Sequence, residues 1–429
     1  MTRNRLNNRC VIFALILIVG LGLAFALPWL ANAQSLAAEG VPDEQPDYAE
    51  VVHNAELAYA LAVEGNGNAP ISLDLCFATH NDGTDVFSEL DASAVQEAVD
   101  AASSGDTVKV AGTCIGVVAR DGLLQTVYIS KSLNLEGGHT QSDWTMAPDP
   151  DTYTTTLYAI NLGRVIVISG TIDVSLDSLF ISGGLADNDT LYNYGGGIWS
   201  NSALTLTNSI VYSNTADQGG GMYNLGISPV LTNVTFSGNS SGGEGGAMYN
   251  DGRRGESSPI LTNVTFSGNS AEGDGGGMYN NGLGGNSSPD VYNSIMWNNR
   301  DSSGTGTISA TIFLTGTATT TMTHSIVQDS LTGGSWIGGS YLDGGGNLDA
   351  DPLFILDIDP STAPTTTGNL RLHPGSPAID AGDNAYVTGV LTDLDGESRV
   401  IDGNLDGTET VDMGAYETRI YYYLPLIYR

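Results

Sequence analysis

Three acidic side chains stand shortly before glycine-rich blocks of this chain: Asp217, Glu244 and Asp274. If the blocks are in register on adjacent strands, about 4.8 Å apart, these acids line one edge of a sheet. Carboxylate pairs about 5 Å or about 6.5–9.5 Å apart perform retaining or inverting glycoside hydrolysis, so the three acids are the candidate catalytic residues of a hydrolase. Ordinary solvated corner residues explain them better, because no acid–His–Arg set accompanies them. We therefore favour a chain without catalysis and keep the hydrolase as an alternative.

Basic side chains are too few for lyase chemistry, which needs a base beside a cation-bound carboxylate. No lysine follows Lys131, and the repeats hold only four arginines. Arg253 and Arg254 stand together in Asn250–Gly255, a glycine-flanked stretch that indicates a solvated turn.

A calcium-type pattern occurs near the C-terminus, where Asp402, Asn404 and Asp406 alternate ahead of Gly407. Alternating carboxylate and amide oxygens suit a hard cation such as Ca²⁺. The closing acid of an EF-hand is displaced by one position, because Asp412 stands where that loop would have its eleventh residue. The pattern predicts either a looser Ca²⁺ site that includes Asp412, or Asp393 and Asp395, or a plain Asx-rich turn without metal. No other cofactor is indicated.

Residues 1–33 have the composition of a signal peptide. Three arginines precede an apolar run, and Ala31-Asn32-Ala33 fits a cleavage site. We expect export with cleavage and no later membrane span, although an uncleaved anchor explains the same run. The net charge of −34 argues against nucleic acid and anionic membranes as partners.

Two cysteines remain after the leader, Cys76 and Cys114. An even pair in an exported chain predicts one disulfide, and two buried free thiols are the alternative.

Sequence repeats dominate the middle of the chain. Leu231–Ser240 returns unchanged at Leu261–Ser270, and blocks of the type Gly-Gly-x-Met-Tyr-Asn recur between the copies. The glycine blocks are spaced by 24, 26 and 30 residues, which is too short for propeller blades and too poor in leucine for leucine-rich repeats. One turn of a parallel β-helix per repeat fits this period.

Corner residues of the repeats predict an asparagine ladder formed by Asn208, Asn233, Asn263 and Asn293. Stacked amides would hydrogen-bond from one repeat to the next. We also expect Val234 and Phe236 to point inward, and the Met222-Tyr223 type of pair to be inward packing. An exposed tyrosine ladder would instead offer a platform for sugar rings. An amphipathic helix over Asp91–Ala102 is expected to cover the N-terminal end of the repeats.

The repeats resemble those of polymorphic outer-membrane proteins and of related right-handed β-helix proteins of the pectin-lyase-like superfamily. Asn369–Gly382, Asp393–Arg399 and Val411–Glu417 are similar to the choice-of-anchor Q domain. Tyr421–Arg429 resembles a short C-terminal tail of secreted bacterial proteins with a suspected sorting role. The resemblance implies an all-β, right-handed parallel β-helix with a short N-terminal capping helix and a C-terminal cap domain.

The expected organisation is a signal peptide (1–33), a linker (34–70) with a short helix at Ala55–Val63, a β-helix (71–348), a choice-of-anchor Q-like cap (349–417) over the far end, and a sorting-like tail (418–429). Near-identical repeats suit weak multivalent binding better than catalysis. We therefore expect a secreted or cell-surface monomer that binds a polysaccharide or another surface component. The alternatives are a polysaccharide-degrading hydrolase and a structural surface-layer component.

Overall fold

The computed structural model describes residues 75–186 and 193–419, and these residues form a mostly β protein with long parallel sheets. The expected signal peptide, the linker with its Ala55–Val63 helix, and residues 420–429 of the tail lie outside the described residues. No helix in the described ranges is long and apolar enough to cross a membrane.

Parallel pairing joins equivalent segments of successive repeats. Val230–Ser237 pairs in parallel with Ile260–Ser267, so that Leu231 faces Leu261 and Phe236 faces Phe266. Met248–Asp251 pairs in the same way with Met278–Gly282. Equivalent strands of these successive repeats are therefore paired in register, which places identical side chains next to one another.

The strands of the described residues belong to three large sheets and two small ones. The sixteen-stranded sheet contains Cys76–Thr79, Val86–Glu89, Thr107–Ala111, Thr113–Ile115, Leu133–Glu136, Thr156–Tyr158, Asp173–Asp177, Phe180–Ser182, Ala203–Tyr212, Val230–Ser237, Ile260–Ser267, Asp290–Tyr292, Ile295–Trp297, Thr320–Thr323, Ile326–Val327 and Tyr341–Asp343. The eight-stranded sheet contains Val118–Arg120, Leu123–Ile129, Arg164–Ile168, Ile198–Ser200, Met222–Leu225, Met248–Asp251, Met278–Gly282 and Ile312–Gly316. The six-stranded sheet contains Leu185–Ala186, Thr215–Ala216, Ser240–Ser241, Ser270–Ala271, Arg300–Asp301 and Gly304–Thr305. The two-stranded sheets are Leu331–Thr332 with Ser335–Trp336, and Phe354–Leu356 with Asn369–Leu372.

Helices are short in the described residues. The α-helices are Ser93–Ala101 and Ile308–Thr311, and the 3₁₀ turns are Gly252–Arg254, Pro360–Thr362 and Asn384–Val387.

The strand residues of the main core come from the sixteen-stranded and eight-stranded sheets. Val234, Phe236 and Leu231 are fully buried in this core, as the repeat pattern predicts. Leu231 and Val234 can both face inward because the intervening Asn233 has a positive φ of 55°, which bends the strand and shifts its alternation. Asparagine tolerates this left-handed conformation better than most residues do.

Three rows of asparagines run along the described repeats, and one of them, formed by Asn224, Asn250 and Asn280, is joined by amide–amide hydrogen bonds of 2.8 Å. The expected row, Asn208 to Asn293, is only partly formed. All four residues have positive φ and the Asn233 amide donates to Asn208 Oδ1 at 3.0 Å, but Asn293 exchanges hydrogen bonds with the backbone of Asp383 instead of with a neighbouring amide. The third row is a ladder that was not predicted and is fully buried: Asn214, Asn239, Asn269 and Asn299. Each of its amides donates to the oxygen of the next at 2.9–3.1 Å, so the corner is satisfied without water.

The predicted helix near the N-terminus of the repeats is present and packs on the first strands. Val95 and Ala98 on the inner face of the Ser93–Ala101 helix are buried against the first strands. The Cys76–Cys114 disulfide, confirmed by the structure, links the first strand of this end to Thr113–Ile115.

The far end differs from the expectation. Tyr341 donates from its hydroxyl to the carbonyl of Ile312 at 3.0 Å, and Trp336 donates to the carbonyl of Tyr341 at 2.8 Å, so this short segment covers the last repeat. The 349–419 segment lies instead along the side of the repeats, where Gly414 N donates to Asn293 O at 2.7 Å.

A second apolar cluster explains that lateral position. Outward-facing Ile295 and Ile326 of the repeats are buried against side chains of the C-terminal segment, including Phe354, Leu372 and Tyr416. Apolar side chains therefore point outward from the repeats on this face, and residues 349–419 bury them.

Candidate functional site

A ladder of stacked aromatic rings lies on the outer face of the eight-stranded sheet. Tyr223, Tyr249, Tyr279 and Phe313 occupy equivalent positions on successive strands. Their ring centroids are separated by 5.1, 4.8 and 5.3 Å, and Tyr194 stacks on Tyr223 at 4.6 Å. The spacing follows from the distance between parallel strands, so the repeat itself creates the ladder.

The tyrosines point away from the core, which corrects the expectation that the Met-Tyr pair packs inward. Met222 is fully buried in the main core, and Tyr223, the next residue, faces the opposite side of the sheet. Tyr223 and Tyr249 are nonetheless 1% and 3% exposed, because neighbouring rings and the turn after Asp251 cover them. Trp199 and Tyr194, at the N-terminal end of the ladder, are only partly buried.

A cleft of about 350 Å³ opens at that end of the ladder. Its lining is Tyr194, Trp199, Tyr223, Leu225, Asp251, Arg253 and Arg254. A difference in repeat length accounts for the cleft: four more residues separate the Met-Tyr-Asn block from Ser-Pro after Asn250 than after Asn224. The longer connection carries the two arginines and overhangs the shorter one.

Asp251 anchors the overhanging turn. Its carboxylate accepts from Arg253 Nε at 2.9 Å and Nη2 at 2.8 Å, and from the Tyr223 hydroxyl at 2.6 Å. It also accepts from the backbone N–H of Arg253, which fixes the 3₁₀ turn. Arg253 lies in an exposed turn, as expected, and its guanidinium forms this bidentate pair with Asp251.

The electrostatics of the cleft follow from these contacts. Burial would raise the pKa of Asp251, but the hydrogen bonds from Arg253 and Tyr223 outweigh it and hold the pKa below its usual range. Burial, followed by the neighbouring Asp251 carboxylate, raises the pKa of Tyr223. Asp251 is therefore a carboxylate and Tyr223 a neutral phenol at neutral pH.

An unpaired donor lies in the wall of the cleft. Trp199 Nε1 is buried and has no hydrogen-bond partner among the described residues. A buried N–H without a partner is costly, and ordered water or a ligand oxygen normally satisfies it.

The three acids proposed from the sequence are only partly brought together. Gly219 and Gly245 donate to the carbonyls of Glu244 and Asp274, so the residue aligned with Glu244 is Gln218, and Asp217 stands one position earlier. Gln218 Nε2 donates to Glu244 Oε2 at 2.8 Å, whereas Asp217 is exposed and accepts from Asn193.

Asp274 has a perturbed environment that the repeat pattern did not indicate. Burial, and then the charges of Asp301 and Glu244, raise the pKa of Asp274. Asp301 is 1% exposed, and its Oδ2 has no partner in the described part of the chain. Sequence inspection missed Asp301 because it does not precede a glycine block.

The calcium-type loop uses its oxygens for its own backbone. Asp402 accepts from the N–H groups of Asp406 and Gly407, and Asn404 Oδ1 also accepts from the N–H of Asp406. Asp412 is buried elsewhere in the segment, where it accepts from the N–H groups of Asp380 and Thr418. No group of three or more His, Cys, Asp or Glu side chains in the described ranges is arranged to hold a metal ion.

No family model matches this chain, and no curated protein matches it either.

Proposed function

We propose that the protein is a right-handed parallel β-helix flanked by a choice-of-anchor Q-like segment. The support is the parallel, in-register pairing of successive repeats in three sheets. Lateral packing of residues 349–419 on the repeats adds a feature that the sequence resemblance did not predict.

We propose further that the chain is exported and binds a glycan without catalysis, at the cleft lined by Tyr194 and Trp199. The observation that carries the proposal is this pair of partly exposed aromatic rings, set beside an anchored Asp251–Arg253 pair. Aromatic rings pack against the C–H faces of sugars, and polar groups at the rim select their hydroxyls.

Absence of turnover is part of the proposal. A hydrolase would need a positioned acid and a second carboxylate at one reacting point. The raised pKa of Asp274 beside Glu244 is the one observation that favours the hydrolase. Gln218, rather than an acid, continues their row on the next strand, and the aromatic cleft contains neither residue.

The experiment combines binding and turnover. The purified exported protein is applied to a glycan array, and new reducing ends are measured in parallel on each polysaccharide that binds. Trp199→Ala and Tyr194→Ala should each weaken binding about tenfold, which is the effect of losing one ring stack with its buried area. Tyr153→Ala is the matched control, because Tyr153 is a partly buried tyrosine outside the cleft.

Three results decide against the proposal. Equal binding by the Trp199 variant, the Tyr153 variant and the parent protein would remove the cleft as the site. Release of reducing ends that Asp274→Asn, Glu244→Gln or Asp217→Asn abolishes would replace the binding function by hydrolysis. A protein that binds no glycan but assembles into ordered arrays would instead support the surface-layer alternative.

A further inference from the structure

The aromatic cleft carries a positive charge in a strongly acidic protein. Its charged lining residues are Asp251, Arg253 and Arg254, whereas the whole chain has a net charge of −34. Asp251 neutralises Arg253 through two short hydrogen bonds, which leaves the guanidinium of Arg254 as the uncompensated charge.

Arg254 is held where it can meet a ligand. The 3₁₀ turn Gly252–Arg254 is fixed at its start by the Asp251 carboxylate and at its end by the N–H of Gly255, which donates to the carbonyl of Gly252. The Arg254 side chain is exposed, and it makes no hydrogen bond or ion pair with any described residue. The turn therefore presents a free guanidinium at the rim of the cleft.

We propose that this cleft selects saccharides that carry an anionic group, and that Arg254 is the residue that recognises the charge. The inference rests on the glycan-binding function proposed above. A sugar ring stacks on Trp199 and Tyr194, and its anionic substituent pairs with the Arg254 guanidinium in the fork geometry that suits carboxylates and sulfates. The distinction matters in this protein because its general negative field repels anions, so an anionic ligand needs a local cation.

Arg253 has a different part in the same site. Its Nε and Nη2 are engaged by Asp251, so it contributes to positioning of the turn. Loss of Asp251 would release Arg253 and leave the Tyr223 hydroxyl without its acceptor. Substitution of Arg254 therefore removes the unpaired charge and leaves the Asp251–Arg253 pair, which anchors the turn, in place.

The experiment compares charged and uncharged forms of one saccharide. Binding of a hyaluronan hexasaccharide, of the same hexasaccharide after reduction of its carboxyl groups, and of a chondroitin sulfate hexasaccharide is measured by calorimetric titration at two salt concentrations. Arg254→Gln is compared with the parent protein and with Arg300→Gln. Arg300 is an exposed arginine of the six-stranded sheet and is not part of the cleft lining.

The expected result is tighter binding of at least one anionic hexasaccharide than of the carboxyl-reduced form, by about tenfold or more. Loss of one charge-assisted pair has about this effect on an affinity. Arg254→Gln should abolish that preference, so that its affinities for the charged and the carboxyl-reduced forms agree within about twofold, and Arg300→Gln should retain the preference. Hyaluronan and chondroitin sulfate together show whether a carboxylate suffices or a sulfate is required.

The failures are distinguishable. Equal affinity for charged and reduced forms, or a preference that survives Arg254→Gln, overturns the charge selection and leaves glycan binding standing. Absence of binding to every saccharide of the array and of this series overturns the selection together with the proposed function. Unchanged thermal unfolding of Arg254→Gln confirms that the comparison concerns binding, since the residue is exposed.

Discussion

Replacement of Asn239 by alanine tests whether the buried asparagine ladder holds the repeats together. Asn239 is fully buried, and its oxygen accepts from the N–H of Asn214 at 3.1 Å and from the Asn214 amide at 3.1 Å. Its amide donates to the carbonyl of Val211 at 2.9 Å and to Asn269 Oδ1 at 3.0 Å. Alanine removes all four hydrogen bonds and leaves their partners inside the protein.

The magnitude follows from the number of partners. A typical hydrogen bond contributes about 1 kcal/mol net, and a buried partner left unsatisfied costs about 1–3 kcal/mol. Some of the four partners retain other contacts, since the Asn214 amide also donates to the carbonyl of Ile181. We therefore expect Asn239→Ala to lower the free energy of unfolding by about 3–5 kcal/mol, near the upper end for single substitutions.

The assay is chemical denaturation followed by far-UV circular dichroism, with Asn286→Ala as the control. Asn286 is exposed. Its Nδ2 makes long contacts, at 3.4 Å to Glu256 and 3.5 Å to Ser258, and its Oδ1 accepts one exposed hydrogen bond from Ser288 Oγ at 2.9 Å. Its replacement should change the free energy of unfolding by less than about 0.5 kcal/mol. Equal effects of the two substitutions would refute the reasoning, because burial and partner number would then have no bearing on stability.

Three further predictions concern other regions. The double substitution Cys76→Ser with Cys114→Ser should lower the free energy of unfolding by about 4 kcal/mol, because the disulfide closes a loop with a sequence separation of 38. A denaturation midpoint equal to that of the oxidised parent protein would contradict this prediction. Burial raises the pKa of Asp412 to about 6 in the folded protein, above the ordinary value of 3.8 expected for the unfolded chain. The stabilisation by protonated Asp412 is therefore complete below pH 3.8 and is lost as the pH rises through 6. The free energy of unfolding of the parent protein should therefore fall by about 3 kcal/mol more between pH 4 and 6 than that of Asp412→Asn. Parallel curves of unfolding free energy against pH for the two proteins would argue against this prediction. Binding of Ca²⁺ remains a prediction: the ion should raise the melting temperature, and Asp402→Ala with Asp406→Ala should abolish the rise, whereas absence of heat at millimolar Ca²⁺ would exclude the site.

Local sequence patterns predicted much of the framework. The identical copies at Leu231–Ser240 and Leu261–Ser270 predicted equivalent strands, and their alternation predicted buried Val234 and Phe236. The amphipathic pattern predicted the Ser93–Ala101 helix. The cysteine count predicted the Cys76–Cys114 pair. These inferences succeeded because each depends on periodicity or composition within a few neighbouring residues.

The candidate site depended on information that a repeat pattern does not contain. Asp251 and Trp199 lie on different strands. They line one cleft because the connection after Asn250 is longer than the connection after Asn224. The turn predicted at Asp251-Gly252-Arg253 is present. The local pattern does not indicate, however, that the Asp251 carboxylate also accepts a hydrogen bond from Tyr223 in the preceding repeat. Similarly, a difference of one position decides that Gln218, and not Asp217, adjoins Glu244.

The sequence alone therefore determined the repeat length, the inward Val234 and Phe236 and the corner positions of the asparagines, because each is set by local backbone preference and by alternation along one strand. The cysteine count determined the disulfide pair. The tertiary structure decided which outward faces are covered. Apolar side chains such as Ile295 are buried because the C-terminal segment packs on them, whereas Tyr194 and Trp199 stay partly exposed beneath a longer neighbouring turn. Outward side chains have no partner within their own repeat, so their surroundings depend on long-range packing that no local pattern specifies.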